Sequence, residues 1–140
     1  MEEIRHHTQR TIEALLSRAR RELKREFYEM LEKIYKAELS SGHALDTVYT
    51  KLNRALLFLS YVQKLGKSLD EVALDDINTF LADKLNPSTR HAYVIAIRLL
   101  GKVNATKYPK FYEASRQVKY PKRKVRLPEL PSYRNVKLVN

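Results

Sequence analysis

The stretch DTVYTKLNRALLFLSYVQKL, residues 46–65, gives the most direct information about how this chain folds. Its apolar residues and the preceding leucine recur at steps of three or four, which is the spacing of one helical face. They are Leu45, Val48, Leu52, Leu56, Leu59 and Val62. A second row at similar spacing is polar, and it consists of Thr47, Thr50, Lys51 and Arg54. The stretch therefore predicts an amphipathic helix that buries one face and offers hydroxyls and cations on the other.

A stripe of the same kind runs through residues 10–39 and predicts one long helix. It consists of Ile12, Leu16, Ala19, Leu23, Phe27, Met30 and Ile34. Either this helix joins copies of the protein as an arm, or it packs on the body of its own chain. We favour an oligomerisation arm at residues 1–41. The spacing permits a short coiled coil but does not require one, because two successive steps of four interrupt a strict heptad. The residues expected to contact another copy are Ile12, Leu16, Leu23, Phe27, Met30 and Ile34.

Capping signals divide residues 44–118 into a central helix and several shorter elements. Gly66 is expected to end the central helix, and Ser68 with Glu71 forms a capping box for a short turn. A helix is predicted at residues 75–85, beginning with two aspartates whose charges suit a helix start. Its inward stripe consists of Ile77, Phe80, Leu81 and Leu85.

Two more helices complete the predicted body. Asn86 as N-cap and Pro87 as first residue begin a largely apolar helix that ends at residue 103. A final helix is predicted at residues 106–118, with Phe111, Ser115 and Val118 facing inward. With only three glycines, five prolines and no hairpin signal, the chain is expected to be all-α.

The helix that begins at Pro87 carries a polar cluster at its N-terminal end, namely Ser88, Thr89, Arg90 and His91. Arg98 and Lys102 follow further along the same helix. Backbone N–H groups, hydroxyls and a cation at a helix N-terminus suit a phosphate group. The same residues also suit an ordinary helix cap, and both interpretations stay open.

Positive charge is concentrated in the last 40 residues. The net charge is +11, and residues 101–140 carry eleven Lys and Arg residues against two Asp and Glu residues. Such asymmetry is typical of a segment that binds a polyanion. Residues 119–140 also contain three prolines, which favour an extended linker over a helix. The cations expected to lie along phosphates are Lys119, Lys122, Arg123, Lys124 and Arg126. A disordered solubilising tail or a targeting signal is the alternative.

Several function classes lack the residues they need. The chain has no cysteine, and its four histidines have no partner at metal-ligand spacing, so we expect no metal and no cofactor. Glycine is too scarce for a phosphate-cradling loop, and no acid–base constellation is apparent, so we expect no catalytic site. Neither a membrane span nor a signal peptide is apparent, which predicts a soluble, cytoplasmic protein.

Five sequence signals occur in a characteristic order. A helix opening with Thr47 is followed by LDEV at residues 69–72, then by DDI and FL at residues 75–81. Next come PST at residues 87–89, leading into AIRLL, and a tail with PKRK and LPEL. Over residues 45–130 this order resembles the core-binding domain of the tyrosine recombinases, or lambda-type integrases, and most closely their archaeal and archaeal-virus members.

The resemblance implies a four- or five-helix, SAM-like core-binding bundle, here preceded by a long N-terminal helix and followed by an extended basic linker. Such a bundle forms half of a clamp around duplex DNA, and the linker crosses the DNA backbone to a catalytic domain. The implied DNA contacts comprise Thr47, Thr50, Lys51, Arg54, Ser88, Thr89, Arg90 and His91, with the five tail cations named above. Arg98 and Lys102 extend the same helix surface.

Two departures from the family pattern limit what is implied. Lys51 stands where family members often carry Tyr, and the 140 residues hold no counterpart of the catalytic arginines, histidine and tyrosine. The resemblance therefore implies that the catalytic domain lies C-terminal to Asn140 in a parent protein. This chain is expected to bind DNA without cutting it. The alternatives are a helical oligomerisation or adaptor protein with a non-specific nucleic-acid-binding tail, and an RNA-binding module.

Overall fold

The computed structural model describes residues 2–121, with side chains from residue 9 onwards. Six α-helices and one 3₁₀ turn follow one another along the described part of the chain. They are α1 (Glu2–Glu22), α2 (Arg25–Ser40), α3 (Leu45–Leu65), the 3₁₀ turn (Leu69–Glu71), α4 (Leu74–Leu81), α5 (Pro87–Val103) and α6 (Pro109–Arg116). No described residue is in a strand, so the predicted all-α class is confirmed.

Helix α3 lies at the centre of the bundle and packs against α1, α2 and α5. Its predicted apolar face is buried from Val48 to Val62. The predicted C-terminal stop is confirmed, because Gly66 has φ of 74°, its N–H donates to the Gln63 carbonyl, and the Lys67 N–H donates to the Val62 carbonyl. Glycine adopts this left-handed backbone conformation easily because it has no Cβ to clash.

A single hydrophobic core runs through the described part of the chain, from Ile12 on α1 to Val118 after α6. Its centre is aromatic: Phe58 lies 5.2 Å from Phe80 and 6.0 Å from Phe111, measured between ring centroids. The predicted arm at residues 1–41 and the predicted body at residues 44–118 thus share one core.

The prediction of one continuous helix at residues 10–39 is wrong. The helix breaks between Glu22 and Arg25, and α1 and α2 both pack on α3. Gln63 of α3 lies at the break, where its Nε2 donates to the Glu22 carbonyl over 2.8 Å and its Oε1 accepts from the Lys24 N–H over 2.7 Å. One amide side chain therefore satisfies a helix C-terminus and a helix N-terminus together.

The break changes the interpretation of the predicted oligomerisation stripe. Five of its six residues are buried in the core of the same chain, and Leu16 packs against that core half-buried. The buried five are Ile12, Leu23, Phe27, Met30 and Ile34. In this fold the stripe contacts its own chain, which is the second of the two interpretations.

Helix α4 begins as its acidic residues predict but ends early. Asp76 Oδ2 accepts from Lys67 Nζ over 2.7 Å and from the Ala73 N–H over 3.0 Å. The Lys67 ammonium, and then the Ala73 N–H, lower the pKa of the Asp76 carboxyl. This contribution to stability is present above the pKa of the unfolded chain and is lost as the pH falls through the folded pKa.

The predicted end of α4 at residue 85 is wrong, since the helix stops at Leu81 and Leu85 is 83% exposed. Arg90 of α5 binds the chain where the helix stops. Its Nη2 donates to the Leu81 carbonyl and its Nε to the Lys84 carbonyl, each over 3.1 Å. The Leu81 carbonyl also accepts from the Lys84 N–H over 3.0 Å, so a backbone turn and the Arg90 side chain together close the end of the helix.

Helices α5 and α6 approach closely at Gly101. A Cβ built there would lie 2.9 Å from Ser115 Cβ. Phe111, Ser115 and Val118 face inward as predicted. Helix α6 is nonetheless shorter than the predicted span of residues 106–118, because Pro109 lacks an N–H and occupies the first helical position.

We expect Gly101→Ala to destabilise the protein although alanine is the better helix former. Crowding against Ser115 should cost about 1–3 kcal/mol, which exceeds the gain of about 1 kcal/mol from helix propensity. Thermal or urea unfolding measures the difference. Adding Ser115→Gly should restore part of the lost stability, and a Gly101→Ala variant more stable than the parent would contradict the close approach.

Candidate nucleic-acid interface

The polar row of α3 lies beside the outer face of α5. Thr47 and Thr50 are exposed, and Thr50 Oγ1 donates to the Asp46 carbonyl over 3.1 Å. Together with Lys51 they line a groove of about 260 Å³ whose other wall is Ala92 and Ile95 of α5. The row predicted on α3 is thus adjacent to the second predicted helix.

Lys51 differs from the prediction, since it is engaged inside the protein. Its Nζ lies 2.8 Å from Glu38 Oε1, and His43 Nδ1 lies 3.1 Å from the same oxygen. Glu38 is only 4% exposed. A buried carboxylate requires a compensating cation. Lys51 therefore neutralises Glu38 rather than standing free for a phosphate.

Arg54 is held on an aromatic ring with no anionic partner. Its guanidinium carbon lies 5.2 Å from the ring centre of Tyr93 on α5. The Arg54 Nε atom is buried and has no hydrogen-bond partner among the described residues. No ion pair to Arg54 occurs in that part of the chain either. The side chain is half-buried, so this cation is fixed in direction but not neutralised.

Lys84 was not predicted as a site residue, yet it adjoins the same ring. Its Nζ lies 5.1 Å from the ring centre of Tyr93 and 4.2 Å from that of Phe80. Asp83, whose side chain is mostly exposed, lies 2.8 Å from this ammonium. The spacing of four between Phe80 and Lys84 was the only sequence signal for this position.

The phosphate site expected from backbone N–H groups at the start of α5 is already filled. Asn86 Oδ1 accepts from the Ser88 N–H over 2.8 Å and from the Thr89 N–H over 3.2 Å. Pro87 has no N–H to offer. The backbone of this segment therefore forms an ordinary helix cap. The Arg90 side chain is bound to the Leu81 and Lys84 carbonyls. The Ser88 side chain remains exposed.

The C-terminal segment begins on α5. The ring of Tyr120 lies 4.8 Å from the ring of His91 and 5.0 Å from the guanidinium carbon of Arg98. Lys102 and Lys119 are exposed. Part of the predicted strap is therefore fixed to the bundle by an aromatic contact. Four of its predicted cations lie outside the described residues: Lys122, Arg123, Lys124 and Arg126.

Helical spacing places four α5 residues on one surface: Ser88, His91, Arg98 and Lys102. On one side of them lies the α3 row, across the groove at Ala92 and Ile95, and on the other lies Tyr120. We refer to these residues of α3, α5 and the C-terminal segment together as the α3–α5 face, with Arg54 at its edge beside Tyr93. Its residues are Thr47, Thr50, Arg54, Ser88, His91, Arg98, Lys102, Lys119 and Tyr120. Arg90 is directed toward α4 instead.

A larger cavity of about 620 Å³ lies where α4 meets the C-terminal segment. Arg90 and Lys119 line it, together with Leu81, Tyr120 and Pro121. Cations therefore occur at this edge of the α3–α5 face as well.

Comparison of the chain with family models, with curated proteins and with solved structures gives no match. Among the residues whose side chains are described, no group of three or more His, Asp or Glu residues is arranged to hold a metal ion. Over the same part of the chain, every helix is too short or too polar to cross a lipid bilayer.

Proposed function

We propose that this chain binds duplex DNA through the α3–α5 face and the basic segment that follows Tyr120. Hydroxyls and cations on one surface are the groups that contact the sugar-phosphate backbone. The proposal retains most residues predicted from the sequence. It omits Lys51 and Arg90, which serve the fold, and the backbone N–H groups at the start of α5. It also omits Thr89, which is half-buried and lies off the row of Ser88, His91, Arg98 and Lys102.

The observation that carries the proposal is the state of Arg54. An arginine without an acceptor costs folding free energy when one of its N–H groups is buried. The cation–π contact with Tyr93 offsets only a small part of that free energy. A planar guanidinium held in one direction without a counter-ion is suited to bidentate contact with a phosphate or a guanine. The Nε atom is itself buried, so DNA would supply acceptors to the two Nη atoms at the end of the side chain.

The charge distribution supports the same partner. Tyr120 lies beside Arg98, Lys119 precedes it in the sequence, and four further cations follow within the next six residues. A tail that starts on the α3–α5 face adds its charge to the same surface. Electrostatic attraction of this kind raises both the affinity and the rate of association with DNA.

We further propose that the chain is the N-terminal, core-binding part of a site-specific tyrosine recombinase. The support is the order of sequence signals over residues 45–130 and the all-helical fold, in which α3 and α5 lie side by side. The bundle would form one half of the clamp, and a catalytic domain from elsewhere in the parent protein would form the other. The cytoplasm is the corresponding location.

Replacing Arg54 by Met tests the proposal. Loss of a charge-assisted contact should weaken binding of duplex DNA by about tenfold or more. The free energy of unfolding should stay the same or rise, because Met fills a similar volume and leaves no buried N–H unpaired. Fluorescence anisotropy with labelled DNA and urea unfolding measure the two quantities.

Lys36→Met, on the exposed surface of α2, is the matched control, since it removes one positive charge away from the α3–α5 face. An equal loss of affinity in both variants would mean that only total charge matters. Competition by single-stranded DNA and RNA separates the rival functions. A preference for unpaired RNA would favour the RNA-binding module, and equal affinity for every polyanion would favour an adaptor with a non-specific tail.

A further inference from the structure

The break between α1 and α2 is not explained by the residues at the break. The sequence around it is RELKREF, residues 21–27, which contains neither glycine nor proline. Arg, Glu, Leu and Lys are among the better helix formers. Local preference alone would continue the helix from α1 into α2.

Tertiary contacts hold the bend. Gln63 satisfies the Glu22 carbonyl and the Lys24 N–H, which a continuous helix would satisfy by its own backbone. Lys24 itself is extended, with φ of −57° and ψ of 151°. The bend therefore depends on an amide from α3, and the straight alternative needs no such partner.

The apolar stripe keeps its helical step across the break. Ala19, Leu23, Phe27 and Met30 follow at steps of four, four and three, and all four are buried. A straight helix would keep these residues on one face. It would also move α1 away from its own α3, exposing the apolar surface that Ile12 and Leu15 now cover.

We propose that the chain has a second, dimeric form in which α1 and α2 join into one helix and α1 packs on α3 of a second copy. Each copy would receive from the other the same α1 that it gives up. The buried contacts of Ile12, Leu15 and Ala19 are then kept, while the bend at Lys24 is removed. Exchange of an identical element in this way is a low-cost route to a dimer.

Arg25→Pro tests the proposal, because it permits the bent form and forbids the straight one. Arg25 is the first residue of α2, where proline is favoured, and its side chain is 91% exposed. The preceding Lys24 already has the extended conformation that a residue before proline requires. Inside a continuous helix, proline would remove a hydrogen bond and clash with the preceding turn.

Sedimentation of the full chain over a range of concentrations is the measurement. We expect the parent and the control Arg25→Ala to form a dimer with rising concentration, and Arg25→Pro to remain monomeric with an unchanged circular dichroism spectrum. Gln63→Ala removes the side chain that binds Glu22 and Lys24 at the bend, and it should raise the association constant for dimerisation by about tenfold. Its control is Lys64→Ala, at the next, exposed position.

Either of two results would overturn the proposal. One is dimerisation of Arg25→Pro equal to that of Arg25→Ala. The other is a monomer for the parent and for Gln63→Ala at every concentration. Should Arg25→Pro fail to fold, the comparison of Gln63→Ala with Lys64→Ala decides, and equal dimerisation constants for that pair count against the swapped form.

Discussion

Affinity for duplex DNA should fall about a thousandfold between roughly 50 and 200 mM salt if about six phosphates are neutralised, since the logarithmic slope is then about −5. The described cations of the α3–α5 face supply four of these contacts: Arg54, Arg98, Lys102 and Lys119. The remaining contacts are expected from the cations that follow Tyr120 in the sequence. Titration of one labelled duplex at several salt concentrations measures the slope.

Joint replacement of Lys122, Arg123 and Lys124 by Ala should weaken all DNA sequences alike. Removing one cation that touches a phosphate should make the slope shallower by about one. The matched control replaces Arg20, Arg21 and Lys33 by Ala, three exposed cations of α1 and α2. Both triple variants remove the same amount of positive charge. Equal slopes for the two, or a flat salt response of the parent, would argue against a DNA-binding tail.

Lys51→Met is expected to lower the free energy of unfolding by about 3 kcal/mol, because it leaves a buried carboxylate without its closest cation. Glu38 would keep only His43, whose side chain is 43% exposed and is charged only when protonated. Urea unfolding at neutral pH measures the loss. Arg18→Met, which breaks an exposed ion pair with Glu22, is the control and should cost at most about 1 kcal/mol.

The double variant Glu38→Leu/Lys51→Met separates the two possible meanings of that loss. Removing both charges should return the stability to within about 1 kcal/mol of the parent, because no unpaired charge remains in the core. If the double variant is as unstable as Lys51→Met alone, the loss comes from packing and not from the buried charge.

The parts of the fold set by local signals were predictable from the sequence. Helix α3 begins within one residue of its predicted start and ends where Gly66 predicts. Helix α5 begins at Pro87 with Asn86 as its cap. In both cases the residues that end or begin the helix are neighbours in sequence, so periodicity and capping rules detect them.

The errors share a different physical origin. Gln63 binds the backbone of Lys24 and Glu22 at the bend, 39 and 41 positions before it in the sequence. Lys51 binds Glu38, 13 positions before it. Arg90 binds the carbonyl of Leu81, nine positions before it, at the end of α4. Each is a contact between one polar side chain and a group distant in the sequence, and the spacing of hydrophobic residues does not predict such contacts. Two of these residues, Lys51 and Arg90, were predicted to contact DNA, and in the structure they bind groups of the protein itself.

The contact of Tyr120 with His91 and Arg98 has a consequence for the strength of attachment. The effective concentration of a charged segment at its second binding site falls as the flexible connection to the globular body becomes longer. Here the point of connection is fixed on the outer surface of α5. If the body binds DNA as proposed, the cations after Tyr120 are expected to have a high effective concentration at the neighbouring phosphates. Two modest contacts joined at such a point dissociate more slowly than either would alone.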